Sequence, residues 1–168
     1  MRLPQSFTLN VEIAALNPTA GDGLLGFLVP SGSVCRVDSV QVTNMDNDTG
    51  EMLECGCFGI TTPGSLAGAS SPTPQAVKPS VDATSGVTTY AGGNAGLTTE
   101  PTTWGRELDR QGWNNQGGYF YDPRCNERID DRPTVPAGEY FFVRLLAAPS
   151  AAFKASVSIT YTEETTAP

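Results

Sequence analysis

The chain has 168 residues, the length of one domain, with a net charge of −8 and no histidine. An acidic surface gains nothing from counterion release on phosphates and is repelled by anionic lipid, which sets aside nucleic acid and membrane surfaces as partners. The missing histidine removes Ser-His-Asp and Cys-His catalysis, His-ligated metals and the usual base near neutral pH, so the expectation is a non-enzyme that uses no cofactor.

Glycine (18) and proline (13) are abundant, and lysine occurs only as Lys78 and Lys154. That mix favours an all-β protein with many turns. No apolar run approaches the roughly 20 residues of a membrane span. Met1-Arg2-Leu3-Pro4-Gln5-Ser6 lacks the apolar stretch of a signal peptide, so synthesis in a host cytoplasm is expected.

Phe7, Leu9, Val11 and Ile13 alternate with Thr8, Asn10, Glu12 and Ala14, which predicts a first strand with one face buried. Residues 17–23 form a turn cluster, and residues 24–29 a short apolar strand stopped by Pro30-Ser31-Gly32-Ser33. Residues 34–43 read as a strand with Val40 and Val42 on one face and a phase slip near Val37, the mark of a bulge. A polar turn at 44–50 leads to a strand over 51–61 that is apolar on both faces around Cys57, Phe58 and Ile60, hence covered on both sides.

Residues 62–103 are different: Pro, Gly, Ser, Thr and Ala, with Leu66, Val77, Val81, Val87, Tyr90 and Leu97 as sparse anchors. Such a segment cannot bury much surface of its own and is ordered by a neighbour. The expectation is an interaction arm lying on a neighbouring subunit or on a larger assembly. Residues 104–118 read as a polar segment with a helical turn at 106–110, followed by a short aromatic strand at Tyr119-Phe120-Tyr121.

The last third is the most regular. Pro136-Ala137-Gly138 feeds an apolar strand over 139–146, and in the closing strand Ser156, Ser158 and Thr160 alternate with Val157, Ile159 and Tyr161. Residues 163–168 read as a polar tail. Together these elements predict one domain over 1–168: an all-β, antiparallel, jelly-roll-like β-sandwich of about eight strands with a long ordered insertion. Its core is expected from Phe7, Leu9, Val11, Ile13, Leu25, Phe27, Val40, Val42, Phe58, Ile60, Phe141, Val143, Leu145, Val157, Ile159 and Tyr161.

Few constellations carry chemistry. Asn44, Asp46 and Asp48 place oxygen ligands at alternate positions, as calcium loops do, but Gly50 comes one place late and the distal glutamate is missing, so an ordinary polar hairpin is the plainer reading. Cys55 and Cys57 point to one face of a strand, with Cys35 on the preceding strand expected to pair with theirs and Cys125 distant in sequence. Cys-x-Cys in a strand is not a zinc knuckle, and free, partly buried thiols are the plainer reading, with a bridge between subunits through Cys125 as the sharper one.

The interaction candidates are Trp104, Trp113 and Tyr90 among the aromatics and Arg124, Arg128 and Arg132 among the cations. Trp104 and Trp113, with Tyr119, Tyr121 and nearby Asn114, Asn115 and Gln116, suit a sugar platform; aromatics at such a junction more commonly cap a core or fill a subunit contact. The mixed-charge run from Arg124 to Arg132 suits a solvated edge or ion pairs between subunits. Its neighbours Asp130 and Asp131 point to opposite faces of an extended chain and form no catalytic dyad.

Three segments carry a resemblance: Leu28-Val29-Pro30-Ser31-Gly32-Ser33-Val34-Cys35-Arg36-Val37, then Gly117-Gly118-Tyr119-Phe120-Tyr121-Asp122-Pro123, then Val135-Pro136-Ala137-Gly138-Glu139-Tyr140-Phe141 with Leu145-Leu146-Ala147-Ala148-Pro149. They resemble small β-sandwich virion proteins of tailed bacteriophages that decorate or cement capsids. The resemblance covers both ends of the chain but not residues 62–103. It implies a structural role on the capsid outer surface, with the major capsid protein and copies of the chain itself as partners, trimers favoured. The alternatives are a head-fibre or tail module that binds a receptor or glycan, and a secreted carbohydrate-binding domain.

Overall fold

The two ends of the chain lie side by side: Leu9 sits opposite Ile159 and Val11 opposite Val157 in an antiparallel pairing that extends from Gln5 to Leu16. A computed structural model describes residues 4–17, 22–46, 50–61, 65–78, 84–114, 116–123 and 132–165. In chain order the strands are β1 (Gln5–Leu16), β2 (Asp22–Leu28), β3 (Ser33–Asn44), β4 (Met52–Ile60), β5 (Gln75–Ala76), β6 (Thr88–Ala91), β7 (Arg106–Asn114), β8 (Tyr119–Tyr121), β9 (Thr134–Val135), β10 (Tyr140–Leu145) and β11 (Phe153–Thr165).

They form two antiparallel sheets. One runs β5-β1-β11-β3-β8, with β9 also on β3; the other runs β6-β2-β10-β4-β7. Without the short strands β5, β6 and β9, the sheets read 1-11-3-8 and 2-10-4-7. Among these eight, successive strands change layer at every connection except β4 to β7, which are neighbours in one sheet; this is the order of a jelly roll of eight strands. The described residues thus hold eleven strands, against the eight expected, because three short pieces add themselves to existing sheets.

Alternation puts Phe7, Leu9 and Ile13 of β1 and Val157, Ile159 and Tyr161 of β11 inward, against Leu25, Phe27, Phe141, Val143 and Leu145 of the facing sheet. Fully burying each such side chain contributes about 1.5–3 kcal/mol. Phe27 bridges the layers, with its ring 4.7 Å from Tyr161 and 5.7 Å from Phe141. Val11 is only partly buried, because β1 forms most of its sheet's edge there. The bulge expected near Val37 falls between Val37 and Ser39, where the β3–β11 register shifts. Gly138 takes a φ of 78° and closes the turn in which Glu139 N–H donates to Pro136 C=O at 3.1 Å.

Several expectations change. Phe58 and Ile60 do not enter the space between the sheets. On β4 the inward positions are Leu53, Cys55 and Cys57, so Phe58 and Ile60 face outward. There Ile60, Leu97 and Phe142 form a second buried cluster with Leu66, Tyr90, Trp104 and Tyr140 packed around it. The strand is covered on both faces, as its composition implies, but by two different cores.

The cover of this second core comes from residues 62–103. The described part of this segment lies on its own sandwich rather than reaching away as an arm. β5 pairs with Phe7 and Thr8 of β1, β6 pairs with residues Leu25 to Leu28 of β2, and Leu66 and Leu97 fill the outer cluster. Val81 lies outside the described residues.

Residues 106–110 form no helical turn; they begin the nine-residue strand β7, paired with β4. The positions in phase with buried Trp113 include half-buried Asp109 and exposed Gln111, so this edge strand carries polar residues on both faces. The expected polar tail is strand as far as Thr165, and Glu163 accepts hydrogen bonds from Ser33 Oγ (3.2 Å) and Ser85 Oγ (2.8 Å). Cys35 does not pair with the strand of Cys55 and Cys57, since β3 and β4 belong to opposite sheets. β3 and β4, which flank residues 44–50, belong to opposite sheets and so do not form a hairpin with each other.

Candidate functional site

The side chains with chemical capacity gather where β4, β7 and β8 meet. Tyr119, brought in by β8, donates its hydroxyl to Asp109 Oδ2 at 2.6 Å and lies 3.3 Å from Cys57 Sγ. One row along, Trp113 Nε1 donates to Cys55 Sγ at 3.2 Å. A thiol, a phenol and a carboxylate in line superficially resemble a relay, but burial governs them. Desolvation pushes the Cys55 thiol up to about 12, with Trp113 opposing it and Glu54 adding to it. Burial likewise raises Cys57 and Tyr119 far above their usual ranges. A neutral buried thiol is no nucleophile. This arrangement satisfies polar atoms where an edge strand turns a half-buried carboxylate toward the core. Cys35 is buried too, and its thiol is raised first by desolvation and then by Glu163; Cys125 lies outside the described residues.

The interaction candidates are distributed differently from the expectation. Trp113 is buried and is a core residue, so it offers no sugar platform. Trp104 packs edge-on against Phe58 and Phe142, and the Arg144 guanidinium lies 4.0 Å from its ring centre and 4.9 Å from that of Phe58. One face of Trp104 is therefore taken by an intramolecular cation–π contact. Arg144, which the sequence reading passed over, was visible as the lone cation in an apolar strand. Tyr90 stands on the same outer face, 6.0 Å from Tyr140 and 6.1 Å from Phe142.

Arg132 binds within its own chain. Its Nη1 is 2.6 Å from Asp38 Oδ1, while Thr162 donates to Asp38 Oδ2 at 2.7 Å. Arg124 and Arg128 lie outside the described residues. Asn44 Oδ1 accepts the Asp46 N–H at 2.7 Å, and Asp46 Oδ2 accepts the Lys154 N–H, so both candidate ligands are spent on shaping a turn. Asp48 lies outside the described residues, and among the described residues no cluster of His, Cys, Asp and Glu suits a metal ion.

Two surfaces remain. A shallow cleft of about 510 Å³ is lined by Gly59, Thr61, Gly105, Arg106, Thr134, Pro136 and Glu139. Gly105 is obligatory there, because a Cβ would sit 2.3 Å from the Gly59 carbonyl oxygen.

The second is the outer face of the β1–β11–β3 sheet. Ser6 meets Thr162 at 3.0 Å, Thr8 meets Thr160 at 3.3 Å, and Ser156 donates to Asn10 at 3.1 Å. Ser39 lies beside Thr160, Gln41 beside Ser158 and Thr43 beside Ser156. The charges on this face sit toward its ends, as the pairs Arg36–Glu164 (3.2 Å) and Lys154–Glu12 (3.5 Å) and the buried Asp38–Arg132 pair beside Thr162. Phe120 stands 54% exposed at its border, opposite Gln41. The signal for this face was present in the sequence, since the central outward positions of the first and last strands (Ser6, Thr8, Asn10 and Ser156, Ser158, Thr160, Thr162) are all Ser, Thr or Asn.

No protein-family model, curated protein or solved structure matches this chain.

Proposed function

We propose that the chain is a non-enzymatic structural protein of a bacteriophage virion, which cements the capsid by seating its broad neutral sheet face on the outer surface of the shell. The observation that carries this reading is the contrast between that face and the rest of the molecule. On a chain of net charge −8, a wide ladder of mutually bonded hydroxyl and amide groups is left without a charge at its centre. Docking such a face costs little desolvation of ions, and its short side chains lose little rotamer entropy. The jelly roll is used by shell proteins and by lectins alike, so the fold supports the reading only by analogy.

A cement that binds only the assembled shell stabilises it by mass action. Its partners are then the major capsid protein and further copies of itself, with trimers favoured. The test is a particle purified with and without this gene product. Its presence on the shell, and a loss of capsid heat resistance on deletion, support the proposal. A folded Thr8→Lys/Thr160→Lys variant is expected to lose capsid occupancy. Full occupancy by that variant would sink the docking face. Glycan binding abolished by Trp104→Ala would favour a receptor-binding head-fibre or tail module instead.

A further inference from the structure

We propose that the open edge of β1 between Thr8 and Ala15 is a docking slot for an extended strand of another protein chain. Val77 N–H donates to Ser6 C=O at 2.9 Å, and Gln75 lies opposite Thr8. As far as Glu12, even-numbered residues of β1 therefore turn their main-chain groups toward the outer edge and odd-numbered ones toward β11, an order that the register shift between Ile13 and Leu16 reverses. Beyond Thr8, no described residue pairs with this edge until the Ala15 N–H meets Asn94 Oδ1 at 3.2 Å and the Asn17 N–H meets Asn94 C=O at 2.7 Å. The N–H and C=O groups of Asn10 and Glu12 thus face outward in a bounded gap. Its length suits about five extended residues, roughly 17 Å.

The boundaries are built. β5 begins at Gln75, opposite Thr8, and its ladder goes no further along β1. Just upstream the chain leaves for the other sheet, where Thr89 Oγ1 donates to Pro72 C=O at 2.7 Å. The contrast with the opposite sheet is informative. Its edge strand β7 carries Arg106, Glu107, Asp109 and Arg110, charges of the kind that blunt an edge, whereas the β1 gap carries Asn10, Val11, Glu12 and Ile13.

Alternating donors and acceptors on a strand edge are matched by a polypeptide backbone. A second copy's β1 does not fit. Two-fold pairing centred on Val11 would set Asn10 against the mate's Glu12, but it would also drive Ala14 onto the mate's Thr8, where Gln75 already lies. The occupant is therefore a free extended segment. An apolar residue on its inner face would complete the cover of half-buried Val11. This inference does not depend on a virion role.

The probe is a seven-residue peptide that alternates valine and threonine between terminal lysines. Its control is the same peptide N-methylated on the amides that face β1. With the first peptide, exchange of the Asn10 and Glu12 amide hydrogens is expected to slow about tenfold, as for a newly formed backbone hydrogen bond, while β7 amides stay unchanged. The methylated peptide is expected to have no effect. Absence of slowing at saturating peptide, equal slowing by the methylated form, or protection on β7 instead of β1 overturns the proposal.

Discussion

Arg132 places Nη1 2.6 Å from Oδ1 of Asp38, tying the strand-bound end of the mixed-charge run to the bulge in β3. The Asp38 side chain is only 6% exposed, and its other oxygen accepts from Thr162. Removing one partner of a buried pair strands the other charge. Arg132→Met is therefore expected to destabilise the protein by about 3–5 kcal/mol in urea titrations. Adding Asp38→Asn should recover a large part of that loss. A single-variant effect below about 0.5 kcal/mol, the size of a surface change, would show the pair to be incidental.

Alkaline pH should destabilise the fold. Cys55 and Tyr121 are pushed up to about 12, chiefly by desolvation, and Cys57, Tyr119 and Tyr161 are raised further. In the unfolded chain these groups ionise near their ordinary values of about 8.5 for Cys and 10 for Tyr. Their neutral forms favour the fold fully below those values. The contribution falls as pH rises from about 9 toward the raised native values, because only the unfolded state releases protons there. Thermal midpoints measured from pH 7 to 11 should fall steadily above pH 9. Tyr119→Phe should lose about 1–3 kcal/mol at pH 7, as the bonds to Asp109 and Cys57 disappear.

The three described thiols should be inert in the native state. In a Cys125→Ser variant, a thiol reagent at pH 8 should label Cys35, Cys55 and Cys57 only as fast as the protein unfolds, since all three are buried and kept protonated. Adding urea should accelerate labelling in step with the unfolded population. Rapid native labelling of any one of them would contradict its placement in the core.

The outer core makes residues 62–103 part of the domain's own stability. Phe142→Ala should cost about 3–5 kcal/mol, as expected for a large buried aromatic, although this residue lies outside the space between the sheets. Limited proteolysis of the variant should first cut between residues 65 and 105, where Leu97 and Trp104 lose their support. Deleting residues 62–103 should lower the thermal midpoint sharply. A deletion variant with an unchanged midpoint would return the segment to the role of a detachable arm.

Much of the fold was determined locally. The alternation in Phe7 to Ile13 and in Ser156 to Tyr161 fixes which side of β1 and β11 is buried, since a strand has only two faces and one is apolar. The bulge near Val37 and the turn at Gly138 follow from a phase slip and from the one residue type that readily takes positive φ. Other features depended on neighbours distant in sequence. β7 was hidden because Asp109 and Gln111, in phase with buried Trp113, are polar, and the short bond that Asp109 accepts there comes from Tyr119, arriving on β8. Phe58 and Ile60 look like ordinary core residues, yet the pairing of β4 with β10 turns them outward to join Phe142. Periodicity separates two faces but does not say which lies between the sheets when both are apolar. The sparse anchors Leu66 and Leu97 likewise acquire their place only when that outer face is assembled, because a segment with so little apolar surface orders against a sheet that other strands have already built.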